Sequence, residues 1–468
     1  MTRAAGAAED GETWSRPPNW TRLETAAVAI ILLVTTALRY HDFTAAPQLS
    51  DNQDPLQFAW SGLTLITKHV PYSWEVLRAY HVDYVLLANG TTYKIVHPWL
   101  THPPLLSFLT GAWVYLLGAR NLTDVTDAMV RPVGITLGLL SLSLAYLLGR
   151  RILDRRAALL GVLLLAVTPG AVLMGREVET EALLAPLLLL GLLMVHRLHV
   201  EDGGRAAIAT LLGCALLLPL TKITGLVLGA AVATILLSLG HWRLAAAVAL
   251  AALAGLGLYF GYAALFDFRL FIAVLQEWST HRHGVTAGVG FITDNAGLGG
   301  RLTDGWWHLG WLGAAVLLLR ERMGPRALLL GWPLVAYAAG IAVLGDATVM
   351  PRYGWYRIVL YPLIYLAAGY VCWEVLRRPS LPGLLLVIVL GGAGATELAV
   401  GNTPWQPDAF LLAAVVALLV LPSGVLLWRR DSEFWVPAAR MGTALSLALI
   451  VLAGAATSLN LGNVYHLL

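Results

Sequence analysis

Two carboxylates three residues apart, Asp51 and Asp54, lie in the polar stretch Ser50-Asp51-Asn52-Gln53-Asp54-Pro55-Leu56-Gln57-Phe58, just after the first long apolar segment. Acids beside an apolar wall suit proton transfer at a membrane surface. The competing structural reading is a cap on a short helix beginning at Pro55. A second acidic group, Arg176-Glu177-Val178-Glu179-Thr180-Glu181, falls between two apolar runs, where ionised groups are costly unless paired or wet. Glu177 and Glu181 are four apart and are expected on one helix face, as an acidic wall opposite Asp54. The alternative is a solvated turn in which Arg176 neutralises one acid.

The basic residues answer these acids. Lys222, beside Thr221, is the lysine closest to a predicted span, and its ammonium suits an anionic headgroup such as a lipid phosphate. A snorkelling anchor explains it equally well. Pro351-Arg352-Tyr353-Gly354-Trp355-Tyr356-Arg357 offers two forked phosphate partners and three aromatics for a sugar or lipid, against the reading of an ordinary aromatic belt. His281 and His283 form a His-x-His, and His97 and His102 flank a stiff Pro-Trp segment. Two histidines without a well-spaced acid are thin evidence for a metal. Asn89-Gly90-Thr91 and Asn121-Leu122-Thr123 match the glycosylation triplet and are read as chance.

These groups must be held by membrane helices. Of 468 residues, 58% are hydrophobic and 13% charged, with mean hydropathy +0.71, against about a quarter charged in soluble domains. The chain is therefore expected to be an all-α polytopic membrane protein. About thirteen spans are predicted, near 23–38, 133–149, 157–174, 181–197, 206–221, 223–240, 244–264, 306–320, 327–344, 355–375, 382–400, 409–428 and 440–459. With the N-terminus inside, the arginine clusters at 150–156, 196–205, 241–243, 320–326, 377–378 and 428–430 all face the cytoplasm. That count requires 41–131 to be one external loop, with Pro103–Leu117 as a helix lying on the membrane surface. The chemistry-bearing residues then collect on the external side. Short arginine clusters between apolar runs give no case for nucleic acid. Cys214 and Cys372 sit in apolar runs as small buried side chains. Met1–Trp20 reads as a tail before a retained first span.

The order of these features resembles the GT-C membrane glycosyltransferases, and more narrowly the bacterial relatives of the protein O-mannosyltransferases and the lipid A aminoarabinose transferase. Asp54-Pro55-Leu56-Gln57-Phe58 is similar to that family's Asp-Glu-x-x-Tyr, with Pro55 replacing the usual Glu. His102-Pro103-Pro104-Leu105 matches His-Pro-Pro-Leu, and Arg131-Pro132 the Arg before the second span. Arg176 with Glu181, then Lys222, then Arg352-Tyr353, follow in order. The likeness is good through Lys222 and thinner beyond.

The resemblance implies a GT-C fold and a polyprenyl-phosphate-linked monosaccharide donor, mannose or similar. It implies transfer with inversion to a lipid, glycan or protein hydroxyl on the external face of the inner membrane. Asp54 inherits the role of base, with Asp51 left as the other choice. Lys222, Arg352, Tyr353, Arg131, Arg176, Glu181 and His102 are implied around the substrate. No cofactor is fixed; a divalent metal is left open, with His102 and Glu181 as its ligands. The expected organisation is a tail (1–22), a catalytic membrane module (23–264, including loop 41–131), an external loop (265–305) and C-terminal helices (306–468). A lipid or sugar transporter and a non-catalytic relative are the rivals. Uninterrupted spans with polar residues at their outer ends weigh against the first, and Pro55 keeps the second open.

Overall fold

The computed structural model describes residues 20–48, 52–201, 203–279, 284–293, 304–321, 324–344, 354–401, 409–429 and 432–462. Every predicted span coincides with helix. The spans are α1 (Arg22–Tyr40), α4 (Asp127–Ile152), α5 with α6 (Arg155–Val167, Pro169–Met174), α7 (Thr180–Val200), α8 (Gly204–Thr221), α9 (Gly225–Ser238) and α10 (Trp242–Phe266). They continue with α13 (Gly305–Arg320), α14 (Pro325–Leu344), α15 (Tyr361–Arg377), α16 (Leu381–Gly401), α17 (Ala409–Val425) and α18 (Trp435–Leu459). Among the described residues, seven helices are long and apolar enough to cross a membrane unaided: α1, α4, α7, α8, α10, α14 and α18. The protein is a multi-pass membrane protein. α10 turns Leu250, Leu253 and Leu258 outward, as a lipid-facing helix does.

Buried charge fixes how these helices meet. At the arginine-rich end, Thr21 and Glu24 form a capping box on α1, and the same Glu24 carboxylate takes Arg150 Nε and Tyr146 OH, each at 2.6 Å. At the other end, the α5–α6 break follows from Pro169, which has no N–H for the carbonyl of Leu165. Arg39 of α1 donates there instead, to the carbonyls of Leu165 (3.3 Å), Ala166 (3.4 Å) and Ala171 (3.3 Å). A guanidinium thus substitutes for the missing helical donors.

The long segment between α1 and α4 is not purely helical. It holds α2 (Asp54–Lys68), β1 (Ser73–Trp74), β2 (Tyr84–Ala88), β3 (Thr91–Val96) and α3 (Pro104–Leu116), the strands forming an antiparallel sheet in the order β1-β3-β2. The sheet was not expected. Its signal is Asn89-Gly90, whose φ values of 49° and 74° make the two-residue hairpin turn that matches strand twist. α2 lies between sheet and α3, with Trp60 edge-on to Tyr93 at 5.0 Å. α2 and α3 cross backbone to backbone. A Cβ on Gly62 would stand 1.7 Å from the Ser107 carbonyl oxygen, and one on Gly111 2.1 Å from the Gly62 carbonyl carbon. α3 leaves Phe108, Leu109, Trp113, Leu116 and Leu117 exposed, an apolar face fit for the membrane surface. Beyond α10, α11 (Phe268–Ser279) returns to this loop, where the Glu277 carboxylate accepts from the amides of Arg78 (2.9 Å) and Ala79 (2.8 Å). α12 (Gly284–Thr293) packs on α14.

This crossing gives a direct test. Gly62→Val must push α3 off α2 and should cost at least the ~1–3 kcal/mol of ordinary overpacking, read as a lowered unfolding temperature in detergent. Gly213→Ala, where a Cβ meets nothing within 4 Å, should leave that temperature unchanged or higher.

Candidate active site

Asp54 is the first residue of α2. The helix has Gln53 at its N-cap position with no side-chain cap, so Asp54 does not serve as the cap. Asn52 does that work, its Oδ1 accepting from the Asp54 amide at 3.1 Å. The other end of Asn52 reaches across the membrane module. Its Nδ2 donates to Glu177 Oε2 at 2.9 Å and Glu179 Oε1 at 2.7 Å. One short side chain therefore ties the start of α2 to the α6–α7 turn. From the other direction Trp74 Nε1 donates to the Gln53 carbonyl at 3.3 Å.

The acids converge on Asp54. Burial, then the charge of Glu75, push the Asp54 carboxyl up to about 7, against the pull of Lys222. Burial pushes Glu177 up to about 7, although Arg131 pulls it down. Glu179 lies well above the usual carboxylate range, through burial and then the neighbouring Asp54 and Glu181. Glu177 does not share a helix face with Glu181, because α7 begins only at Thr180 and Glu177 belongs to the preceding turn.

Lys222 is the cation within this group. Pro219 sits in the last turn of α8, the helix stops at Thr221, and Lys222 is extended at φ −157°. Its Nζ is 2.6 Å from Glu181 Oε1 and 4.1 Å from the centre of the Tyr356 ring. Glu181 Oε2 accepts from Thr180 Oγ1 at 2.8 Å. Burial alone would lower the Lys222 ammonium's proton affinity, but Glu181 more than reverses this, so the lysine stays charged. His102 is pushed down to about 3 by burial and by Lys222, so it is a neutral ring against Phe58 (5.4 Å) and Trp99 (5.6 Å).

Two arginines expected at the substrate occupy a different place. Arg131 and Arg176 are 1% and 0% exposed. Arg131 Nη2 donates to the Pro47 carbonyl at 2.6 Å and Nε to Asp127 at 2.5 Å, while Nη1 stands 4.0 Å from Glu177. Arg176 donates to the carbonyls of Ala46 (2.7 Å), Leu38 (2.8 Å) and His41 (2.7 Å). Both clamp the segment that leads to Asp54, and their forks are turned to protein. Asp51, Arg352, Tyr353, His281 and His283 lie outside the described residues. Among the described residues, no three His, Cys, Asp or Glu side chains are arranged to hold a metal. Glu181 contacts Lys222 and Thr180, and His102 lies against Phe58 and Trp99.

Four contributors escaped the sequence reading. Asn52 and Glu179 lie in the same polar stretches as Asp54 and Glu181, and their residue types do not mark them above those neighbours. Tyr356 was quoted only as one of several aromatics. Glu75 had only the signal of a single acid among aromatics between α1 and α4.

Residues 101–267 match the family model described as dolichyl-phosphate-mannose-protein mannosyltransferase. The fold is similar to that of ArnT from Cupriavidus metallidurans in the apo state, at 19% identity over 92% of this chain and 76% of ArnT, with a TM-score of 0.51. The same protein bound to undecaprenyl phosphate matches at 17% identity, over 93% and 77%, with a TM-score of 0.50. The chain has a GT-C fold. None of the curated proteins matches it by sequence. In this GT-C chain the matched segment carries α3, Arg131, the acidic turn and Lys222, but not Asp54.

The crowding of acids has a pH signature. A carboxyl whose proton affinity rises on folding favours the folded state at low pH, and that contribution is lost as pH climbs through the folded value. Asp54→Asn should therefore raise the apparent unfolding temperature more at about pH 8 than at about pH 5.5, because the contribution is lost progressively between the unfolded and folded values. Equal effects at both values would show that Asp54 is not held among like charges.

Proposed function

We propose that the protein moves a monosaccharide, a hexose such as mannose or a pentose, from a polyprenyl-phosphate donor to an acceptor hydroxyl, with inversion, at the external face of the inner membrane. The observation that carries this is a part-buried cation, Lys222 on Glu181 at the end of α8, whose charge acts on Asp54 at the start of α2, a carboxyl whose proton affinity burial raises. An enzyme of this class needs a base that is unprotonated but not inert at working pH, and fixed positive charge for the departing phosphate. The undecaprenyl phosphate named for ArnT supports a lipid phosphate as the anion. The arginine-rich loops opposite the site support an external working face.

In the reaction, the acceptor oxygen bonds to the anomeric carbon as Asp54 takes its proton. The bond from that carbon to the phosphate oxygen breaks, and the electron pair leaves with the polyprenyl phosphate. Lys222 turns from Glu181 to the phosphate oxygens. Arg352 and Tyr353 are assigned to the same phosphate. Asn52, Arg131 and Arg176 hold the base in place. His102, neutral and apolar in its surroundings, shapes the sugar side. The acceptor can be a lipid, a glycan or a protein.

The test is transfer from a panel of radiolabelled polyprenyl-phosphate sugars in membranes, with expression of each variant matched. Asp54→Asn should lower transfer by about 10²–10⁴-fold, the usual worth of a general base, while Asp51→Asn retains it. Lys222→Met should lower transfer and weaken polyprenyl phosphate binding together. Transfer that survives both aspartate changes would remove the base from this reading.

A further inference from the structure

Where the resemblance expects a second acid beside Asp54, the chain has Pro55. The fold brings one in from the sheet. β1 is stitched to the start of α2: Gln57 Nε2 donates to the Trp74 carbonyl at 3.0 Å, and Ser73 Oγ to the Gln57 carbonyl at 3.0 Å. With the bond from Trp74 to Gln53, these contacts lock the strand against the helix turn that carries Asp54. Glu75 is the next residue. It is 6% exposed and exerts the largest charge effect on Asp54.

The surroundings of Glu75 decide its charge. Its Oε1 accepts from the Val76 amide at 2.9 Å, and its Oε2 accepts from Trp99 Nε1 at 3.2 Å and Thr101 Oγ1 at 2.7 Å. An amide and an indole can only donate. The threonine is oriented as well. The Leu100 amide donates to Tyr80 OH at 2.8 Å, which turns the Tyr80 hydroxyl toward Thr101 Oγ1 at 3.0 Å and leaves the threonine proton for Glu75. Burial raises the proton affinity of Glu75, and the donors aimed at it oppose this and favour its anion. Among the described residues Glu75 has no cationic partner, and the Asp54 carboxyl receives no such donors.

We propose that Glu75 is a positioning residue for the transfer reaction, a fixed anion that makes Asp54 the member of the pair that takes up and releases the proton. This rests on the reading of Asp54 as base. The other groups facing Asp54 are accounted for. Glu181 on α7 is matched by Lys222, which itself opposes protonation of Asp54. Glu177 and Glu179, from the α6–α7 turn, share the amide of Asn52 and are held toward their neutral forms by burial. Tyr356 packs beneath Lys222, and His102 is neutral. Two neighbouring acids pushed apart in this way are how one site obtains a charged and a proton-exchanging carboxyl together.

The test uses the full chain in detergent and a readout that does not need turnover. Carbodiimide coupling requires a protonated carboxyl, so labelling of Asp54 against pH, read by mass spectrometry, gives its protonation midpoint. In Glu75→Gln that midpoint should fall at least one unit below the wild-type midpoint, a tenfold loss of proton affinity. Glu75→Asp, which keeps the charge, should stay close to wild type. The acidic limb of kcat/KM for transfer should move with the midpoint. If Glu75→Gln does not fold, Thr101→Val replaces it: with one donor lost, Glu75 keeps its own proton longer, and the Asp54 midpoint again falls. An unchanged midpoint in a folded Glu75→Gln protein would overturn the proposal and leave Glu75 as a strand anchor. A midpoint that moves in a protein whose wild type transfers no sugar would instead support the pairing and count against the transferase reading.

Discussion

The site depends on the turn between α6 and α7. Arg176 is buried there without a carboxylate partner among the described residues, and its fork takes three backbone carbonyls from the end of α1 and the segment behind it. Burying a guanidinium costs several kcal/mol unless its donors are met, so this segment can move only by leaving a charge unsatisfied. The next residue, Glu177, faces Arg131, which holds Pro47 of the same segment. Gly134 allows the close approach, since a Cβ there would lie 2.3 Å from the Glu177 carbonyl oxygen. The chain leading to Asp54 is thus fastened before α2 begins, and Asn52 makes the final connection.

That arrangement concentrates more acids than bases around one small volume. Asp54, Glu75, Glu177, Glu179 and Glu181 face Lys222 and Arg131, and burial prevents all five acids from ionising together. A fold under selection only for stability would not keep such a group. It makes sense where one carboxyl must exchange a proton and one ammonium must change partners. Lys222 is suited to the second task, because Glu181 holds it charged in the absence of an anion and an incoming phosphate offers a stronger partner. Transporters keep their polar groups near the bilayer midplane. Here the polar groups lie at the ends of α7 and α8 and on the loop helix α2.

Much of the fold was legible in the sequence, because an apolar run of spanning length directly states its environment. All thirteen predicted runs are helical, down to the interrupted one at Pro169. The order of the charged stretches also led to Asp54 and Lys222. What failed depended on tertiary geometry. Arg131 and Arg176 have the residue type for a phosphate, and nothing in the sequence reveals that Arg176 holds three carbonyls and Arg131 holds Asp127 and the Pro47 carbonyl. Glu177 and Glu181 have helical spacing, but the helix starts at Thr180. Asp51, Asn52 and Asp54 are all good caps by composition, and only the reach of Asn52 to two glutamates separates them. Glu75 follows β1, which pairs with β3 of the hairpin turning at Asn89-Gly90 and is bonded to the start of α2, an arrangement whose only sequence signal is that Asn-Gly turn.

The central claim is that Asp54 and Lys222 face the same bound substrate. A structure of the protein with a polyprenyl phosphate tests it most directly. The account predicts phosphate oxygens within hydrogen-bond reach of Lys222 Nζ, about 3 Å, with the lysine released from Glu181 and the Asp54 carboxyl facing the same cavity. A phosphate held elsewhere, with Lys222 still on Glu181 and Asp54 turned away from it, would contradict the account.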